Sequence, residues 1–353
     1  MSAMIAHTQA HTQAHTQAPT QAQPKTDTPS YPLLLADIGG TNARFAIETA
    51  HGELQAVKVL PCAAYPSLED ALHSYLHDAA SLAAGAHQLR HAGIAIANPI
   101  HGDQVRMTNH HWEFSISATR HQFGLERLDV VNDFTALALS LPHLQPHQYF
   151  QVGGHQALAG SAIGLLGAGT GLGVSGLIPA GERWLPLHSE GGHASFTPAN
   201  AKEVAILEFA WREFPHVSAE RLLSGPGLVL IYRALAELLQ AAVAPLEAPD
   251  ILQRGLQREC AICSEVLSTF CEMLGTMAAN LAVTLGARAG IYIGGGIVPR
   301  LGDYLLQSGF RARFEDKGRF RDYLAAIPVY VITEAYPALI GLSALHRQQS
   351  ADR

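Results

Sequence analysis

Three glycine-rich turns are the residues best suited to chemistry: Asp37-Ile38-Gly39-Gly40-Thr41-Asn42, Gly167-Ala168-Gly169-Thr170-Gly171 and Gly294-Gly295-Gly296, each at the end of an apolar run. Glycine has no side chain to hold an anion away from backbone N–H groups, and such amides beside a threonine hydroxyl make a phosphate cradle. Positive φ is expected at Gly40 and Gly169. One such turn alone reads as a plain hairpin. Three of them, two joined to threonine and the first preceded by aspartate, point to a nucleotide. A Walker loop needs Gly-Lys-Ser/Thr, which does not occur. Counting G-x-G-x-x-G from Gly167 or Gly169 puts Leu172 or Val174 where the third glycine belongs, so the dinucleotide fingerprint fails too.

A second set, Asn132, Asp133, Glu190, His193 and Glu220, combines amide, carboxylates and imidazole. These groups accept and donate in pairs, as a ligand with adjacent hydroxyls requires. Each has a plainer reading. Asp133 could cap a helix beginning at Phe134, Glu190 and His193 could be solvated loop residues, and Glu220, just after Ser218, could complement a helix dipole. Cys260 and Cys263 form a C-x-x-C with no second pair, only Cys271, and the spacing i, i+3, i+11 suits one helix face, so no zinc site is expected. His110 and His111, beside Trp112, read as structural loop residues.

The elements that must position these residues follow from periodicity. LLLADI and ARFAIET are strands joined by the first turn, and Glu53 to Leu60 adds a third. Ser67 caps an amphipathic helix running to about Ala80. Ile94 to Ala97 and Leu128 to Val131 are buried strands, and Asn132-Asp133 falls where the second ends and the helix FTALALSL begins. That is where open α/β sheets bind ligands. IGLLGAGTGLGVSGLI is a second glycine-turned hairpin. Beyond it, Thr197-Pro198 reads as a helix start, Ser224 or Gly225 begins a helix to Ala241, and a long helix spans about Cys260 to Leu285, ended by Gly286. GIYIG and IPVYVIT are late strands, and ALIGLSALHRQ is a closing helix.

Composition narrows the class. At 353 residues the chain has room for two domains. Lys and Arg number 23 against 30 Asp and Glu, a formal net charge of -7, which argues against nucleic acid as a partner. With 48% hydrophobic and 15% charged residues the bulk of the chain is too apolar for disorder. The exception is residues 1 to 30, an imperfect HTQA repeat read as a disordered tail whose His7, His11 and His15 carry no assigned role. The uncharged stretch 157–180 is too glycine-dense for a spanning helix and has no Lys or Arg anchor. Four cysteines and the absence of a secretory pattern suit a cytoplasmic protein, and no membrane association is expected.

In chain order, DIGGTNARFAI, VNDFTALALSLP, GAGTGLGVSGL, SEGGHASFTP, HVSAERLLSGPG, IGGGIVPRL and FEDKGRF resemble the bacterial glucokinases of the ATP-dependent, non-ROK type, from about Leu33 to the C-terminus. The resemblance implies an α/β, two-domain actin-like (ribonuclease H-like) fold. Its small domain would span 31–143, completed by a C-terminal helix over about 334–353, and its larger, helix-richer domain 144–333, with a cleft between them. It assigns glucose to Asn132, Asp133, Glu190, His193 and Glu220, with Asp133 as the base in transfer of phosphate to the 6-hydroxyl, the first step of glycolysis. ATP would lie on Ala36, Asp37, Ile38, Gly39, Gly40 and Thr41, on Gly169, Thr170 and Gly171, and on Gly294, Gly295 and Gly296. Mg²⁺ would ride on the ATP phosphates, reached by Asp37 through water, and a homodimer is the family expectation. ROK sugar kinases share the E-x-G-H but carry a cysteine-rich zinc loop soon after it, and no cysteine lies between His193 and Cys260. His188-Ser189 stands where relatives often have Pro-Gly. A non-catalytic sugar sensor on the same scaffold is the first rival reading, and an ATPase of the actin or chaperone class the second.

Overall fold

Apolar runs that alternate with glycine turns pair into hairpins because the turn reverses the chain while the buried faces stay in register. The computed structural model describes residues 31–108 and 110–350, and the low-complexity segment at 1–30 lies outside them. Among the described residues there are thirteen strands: β1 Leu33–Ile38, β2 Asn42–Ala50, β3 Glu53–Pro61, β4 His91–Ile96, β5 Gln104–Arg106, β6 Glu113–Ser115, β7 Arg127–Asn132, β8 Tyr149–Gln151, β9 Ile163–Ala168, β10 Leu172–Ala180, β11 Arg183–Pro186, β12 Ile291–Gly294 and β13 Val329–Ile332.

They form two mixed sheets built on one plan. The first has the order β3-β2-β1-β4-β7 and the second β11-β10-β9-β12-β13-β8, with β5 and β6 as a separate ribbon. In each sheet an antiparallel meander is followed by two parallel strands. The repeat gives each sheet a glycine turn at one equivalent position, Gly39–Thr41 after β1 and Gly169–Gly171 after β9. The apolar stretch 157–180 is therefore the β9–β10 hairpin.

One helix, Asp133–Ser140, joins the two halves. On one side it meets the closing helix Pro337–Ser350, where Gly341 lies so near the Ala136 carbonyl that any Cβ would overlap it. On the other, the Phe134 ring occupies the space a Cβ on Gly173 would need, and Leu137 approaches Gly294. The closing helix in turn sets Leu342 against Gly93 of β4. Gly167 thus belongs to β9, where its missing side chain makes room for Phe134.

Several helix limits differ from the sequence reading. The helix capped by Ser67 stops at Leu76, because Asp78 accepts from Ala80 N–H and caps a second helix, Ala79–Ala83. Thr197-Pro198 starts nothing. Asn200 accepts from Glu203 N–H at 2.9 Å and heads Ala201–Trp211, while Glu203, fully buried, is paired with Arg313 at 2.7 Å. The helix from Gly225 ends at Leu238. Ala261–Leu285 is long and apolar enough to cross a membrane, yet 67% of its most apolar window is buried inside the protein, where Phe270, Met273 and Leu274 form the second sheet's core.

Candidate active site

The first turn is closed by Gly39 N–H donating to the Asn42 carbonyl at 3.0 Å. Ala36 and Ile38 are fully buried, so their side chains are core and only their backbone can serve a ligand. Asp37 is the last residue but one of the same strand. The hairpin register sets it opposite Arg44, whose guanidinium reaches its Oδ2 at 3.1 Å. Burial holds the Asp37 carboxyl above its ordinary range, and Arg44 only partly offsets this. The sequence reading missed Arg44, although a Gly-Gly-Thr-Asn turn fixes that pairing.

Parallel registry carries the level of β1 across to β7, since Ile38 pairs with Ile96 and Ile96 with Asn132. Asn132 and Asp133 therefore emerge beyond the carboxyl ends of the strands, two strands from Asp37, at roughly 10 Å for two strand spacings. Asn132 is the helix cap: its Oδ1 accepts from Phe134 and Thr135 N–H at 2.9 and 3.2 Å. Its amide also donates to the Asn98 carbonyl at 3.4 Å, a partner that sequence alone did not mark. Asp133 is the first helical residue, not the cap, and accepts from Phe134 N–H at 2.9 Å. It is half-buried by surface area but crowded by protein. Burial, then the charge of Asp37, pushes its carboxyl up to about 7.

The second half supplies the other three polar residues. Glu190 precedes and His193 ends the short turn Gly191–His193, and a Cβ on Gly192 would overlap the Leu172 carbonyl, so glycine is required there. His193 lies between two carboxylates, with Nε2 3.8 Å from Glu190 and Nδ1 4.0 Å from Glu220. Both gaps are too long for hydrogen bonds, and a bridging hydroxyl would satisfy both sides. Glu220 has a second task. Its Oε2 accepts from Leu172 N–H at 2.9 Å, tying it to the tip of the β9–β10 hairpin. A contact linking the two subsets is Thr135 Oγ1 to His188 Nδ1 at 3.2 Å.

Around the second turn, Gly169 N–H donates to the Gly171 carbonyl, and the Gly169 carbonyl accepts from Gly225 N–H, both at 2.8 Å. Gly294 is paired with Gly167 in the sheet, which brings the third turn beside the second. Gly295 takes the left-handed region at φ +82°, and its missing Cβ spares the Ala168 backbone. Gly169 does not have the positive φ expected of it; its nearest neighbour in the Cβ direction is Gly296 N at 3.8 Å. A cavity of about 240 Å³ lies beside Thr170 and Glu220, with Arg221, Ser224 and Arg233 in its wall. A larger one, about 270 Å³, is lined mainly by apolar residues of the first sheet's core, with His77, His87 and Thr119, and contains none of these residues.

Among the described residues no group of three or more His, Cys, Asp or Glu side chains could hold a metal ion.

The chain as a whole has known relatives. A family model described as Glucokinase matches residues 34–349. The bifunctional protein glk of Burkholderia pseudomallei is 54% identical over 323 residues, 91% of this chain but 50% of that protein, so the chain spans about half the length of this relative. The glucokinase of Chromobacterium violaceum is 54% identical over 315 residues, 89% of each chain. The crystal structure of a glucokinase from an Antarctic psychrotroph, 36% identical, matches with a TM-score of 0.82 over 90% of this chain and 99% of that one. A ROK family glucokinase from Streptomyces griseus, in complex with glucose and AMPPNP, shares the fold at 17% identity and a TM-score of 0.61 over 90% and 100% of the chains. With the two-domain actin-like kinase fold and a family match that runs almost end to end through the described residues, the chain belongs to the glucokinase family.

Proposed function

We propose that the protein transfers the γ-phosphoryl group of ATP to the 6-hydroxyl of D-glucose, giving glucose 6-phosphate and ADP. The observation that carries this reading is Asp133, a buried carboxyl pushed up to about 7 beyond the strand ends, two strands from Asp37. The transition state of phosphoryl transfer is loose, so the attacking hydroxyl must be oriented early and lose its proton late. A carboxylate matched to neutral pH does both.

In this reading Asp133 holds the 6-hydroxyl and accepts its proton. Asn132 fixes the ring from the same side, its own Oδ1 committed to the helix. Glu190, His193 and Glu220 hold hydroxyls that do not react. The N–H groups of the turns after β1 and β9, with Thr41 and Thr170, cradle the phosphates, and Gly294–Gly296 adjoins the adenosine. Asp37 has one oxygen taken by Arg44, and burial disfavours its charge, so a nearby cation would relieve it. That fits Mg²⁺ held mainly by phosphate oxygens and water. When bound, Mg²⁺ neutralises charge on the phosphates.

A coupled assay of ADP release with several sugars and phosphoryl donors tests the proposal. ADP formation that requires glucose and ATP together supports it, while binding of both without turnover would leave the sensor reading.

A further inference from the structure

We propose that Cys260 and Cys263 form a reversible dithiol–disulfide modification site, oxidised by a hydroperoxide. Cys260 is the N-cap of the 25-residue helix Ala261–Leu285, and Cys263 is its third residue. The Cys260 Sγ accepts from Cys263 N–H at 3.4 Å, so the sulfur sits where a capping oxygen ordinarily would. Helix geometry places Cα atoms three residues apart at about 5 Å, inside the range of about 4.4–6.8 Å that disulfides span. Because Cys260 is the non-helical member, it can rotate toward Cys263 without disturbing the ladder.

The two thiols are unlike. Burial raises the Cys260 thiol, but the N–H groups of Cys263 and Ile262 and the Cys263 thiol outweigh it and leave it below the ordinary range. Cys263, fully buried, is pushed the other way, by burial and by Cys260. Cys260 is half-buried and within reach of solvent. An accessible, more acidic thiol beside a buried partner is the pairing in which one sulfur attacks and the other resolves. The other two thiols lack it. Cys62 is buried and donates to the Gly39 carbonyl at 3.4 Å, and Cys271 is buried with its thiol pushed up to about 12.

The chemistry closes in two steps. The Cys260 thiolate attacks a peroxide oxygen, forming an S–O bond as O–O breaks and hydroxide leaves. The Cys263 sulfur then attacks Cys260, S–S forms, S–O breaks, and the departing hydroxide takes the remaining thiol proton. Two thiols lose two electrons and one hydrogen peroxide becomes two waters. In a reducing compartment a dithiol reverses the bond.

The full chain is treated with one equivalent of hydrogen peroxide, alkylated under denaturing conditions and read by tandem mass spectrometry. The expected product has lost two hydrogen masses between Cys260 and Cys263, forms more than about tenfold faster than any adduct on Cys271, and reverts with dithiothreitol. Cys263→Ser should trap a sulfenic acid on Cys260 that dimedone captures, and Cys260→Ser should leave Cys263 unreacted, with circular dichroism reporting the fold of each. Oxidation of Cys260 no faster than Cys271, or a link between two molecules instead, overturns the site.

Discussion

Thr135 Oγ1 and His188 Nδ1 lie 3.2 Å apart, although 53 residues separate them in sequence. Thr135 is buried in the helix headed by Asp133, while His188 leads into the loop of Glu190. Leu187, just before it, is pinned to β10, donating to the Gly176 carbonyl and accepting from Ser175 Oγ. His188 is thus the residue at which the loop proposed to hold the sugar grips the helix of the proposed base. His188→Ala is expected to raise the glucose KM several-fold while the ATP KM stays level. In a double-mutant cycle with Thr135→Val the coupling should be about 1 kcal/mol. Strictly additive effects would make the contact incidental.

Asp133→Asn should retain the fold and much of the glucose affinity but lose about 10²- to 10⁴-fold in turnover. In the parent, kcat/KM should fall as pH drops through about 7, where the carboxyl gains its proton. Stability runs the opposite way. Between the ordinary 3.8 and about 7 the native state holds a proton that the unfolded chain has released, so Asp133 contributes less stability as pH rises through that window. Asp133→Asn should therefore melt higher than the parent at pH 8 and gain little at pH 4. A variant that turned over within tenfold of the parent would move the base elsewhere.

Glu220 separates two functions. Glu220→Gln keeps an oxygen for Leu172 N–H and should act chiefly on the glucose KM. Glu220→Ala also releases the hairpin tip, now held at 2.9 Å, and should raise the ATP KM as well. Titration calorimetry with each ligand alone distinguishes them; equal ATP affinities in both variants would mean the tip is held by its own turn.

The glycines of the turns should not respond alike. Gly169 has room for a Cβ, so Gly169→Ala should leave the melting temperature near the parent's and weaken ATP binding. Gly295 is left-handed with no space for a Cβ, and Gly295→Ala should cost at least about 1–3 kcal/mol of stability. Denaturant unfolding checks the pair, and the reverse ranking would refute the distinction.

Much of this was legible in the chain itself. The principal strands, though not the short β5, β6, β8 and β11, the glycine turns between them, Cys260 and Gly286 as the limits of the long helix, and Asn132-Asp133 at a strand end follow from local patterns. Apolar alternation and backbone freedom act over a few residues. Arg44 opposite Asp37 was equally implicit in a short hairpin register. Helix starts at Ala201 and Ala79 were misread because Asn200 with Glu203, and Asp78, outcompeted weaker signals nearby. What only the tertiary structure decided is how distant segments meet. Gly173 and Gly341 look like flexible positions in the sequence, but they are the sockets through which the helix of Asp133 is clamped between the two halves. Folding also buries Asp133 and, through the β1–β4–β7 register, sets it two strands from Asp37, which together raise its carboxyl, and it joins Glu220 to Leu172 and His188 to Thr135. No local rule encodes these relations, because burial and charge depend on atoms that folding brings together from tens to hundreds of residues away.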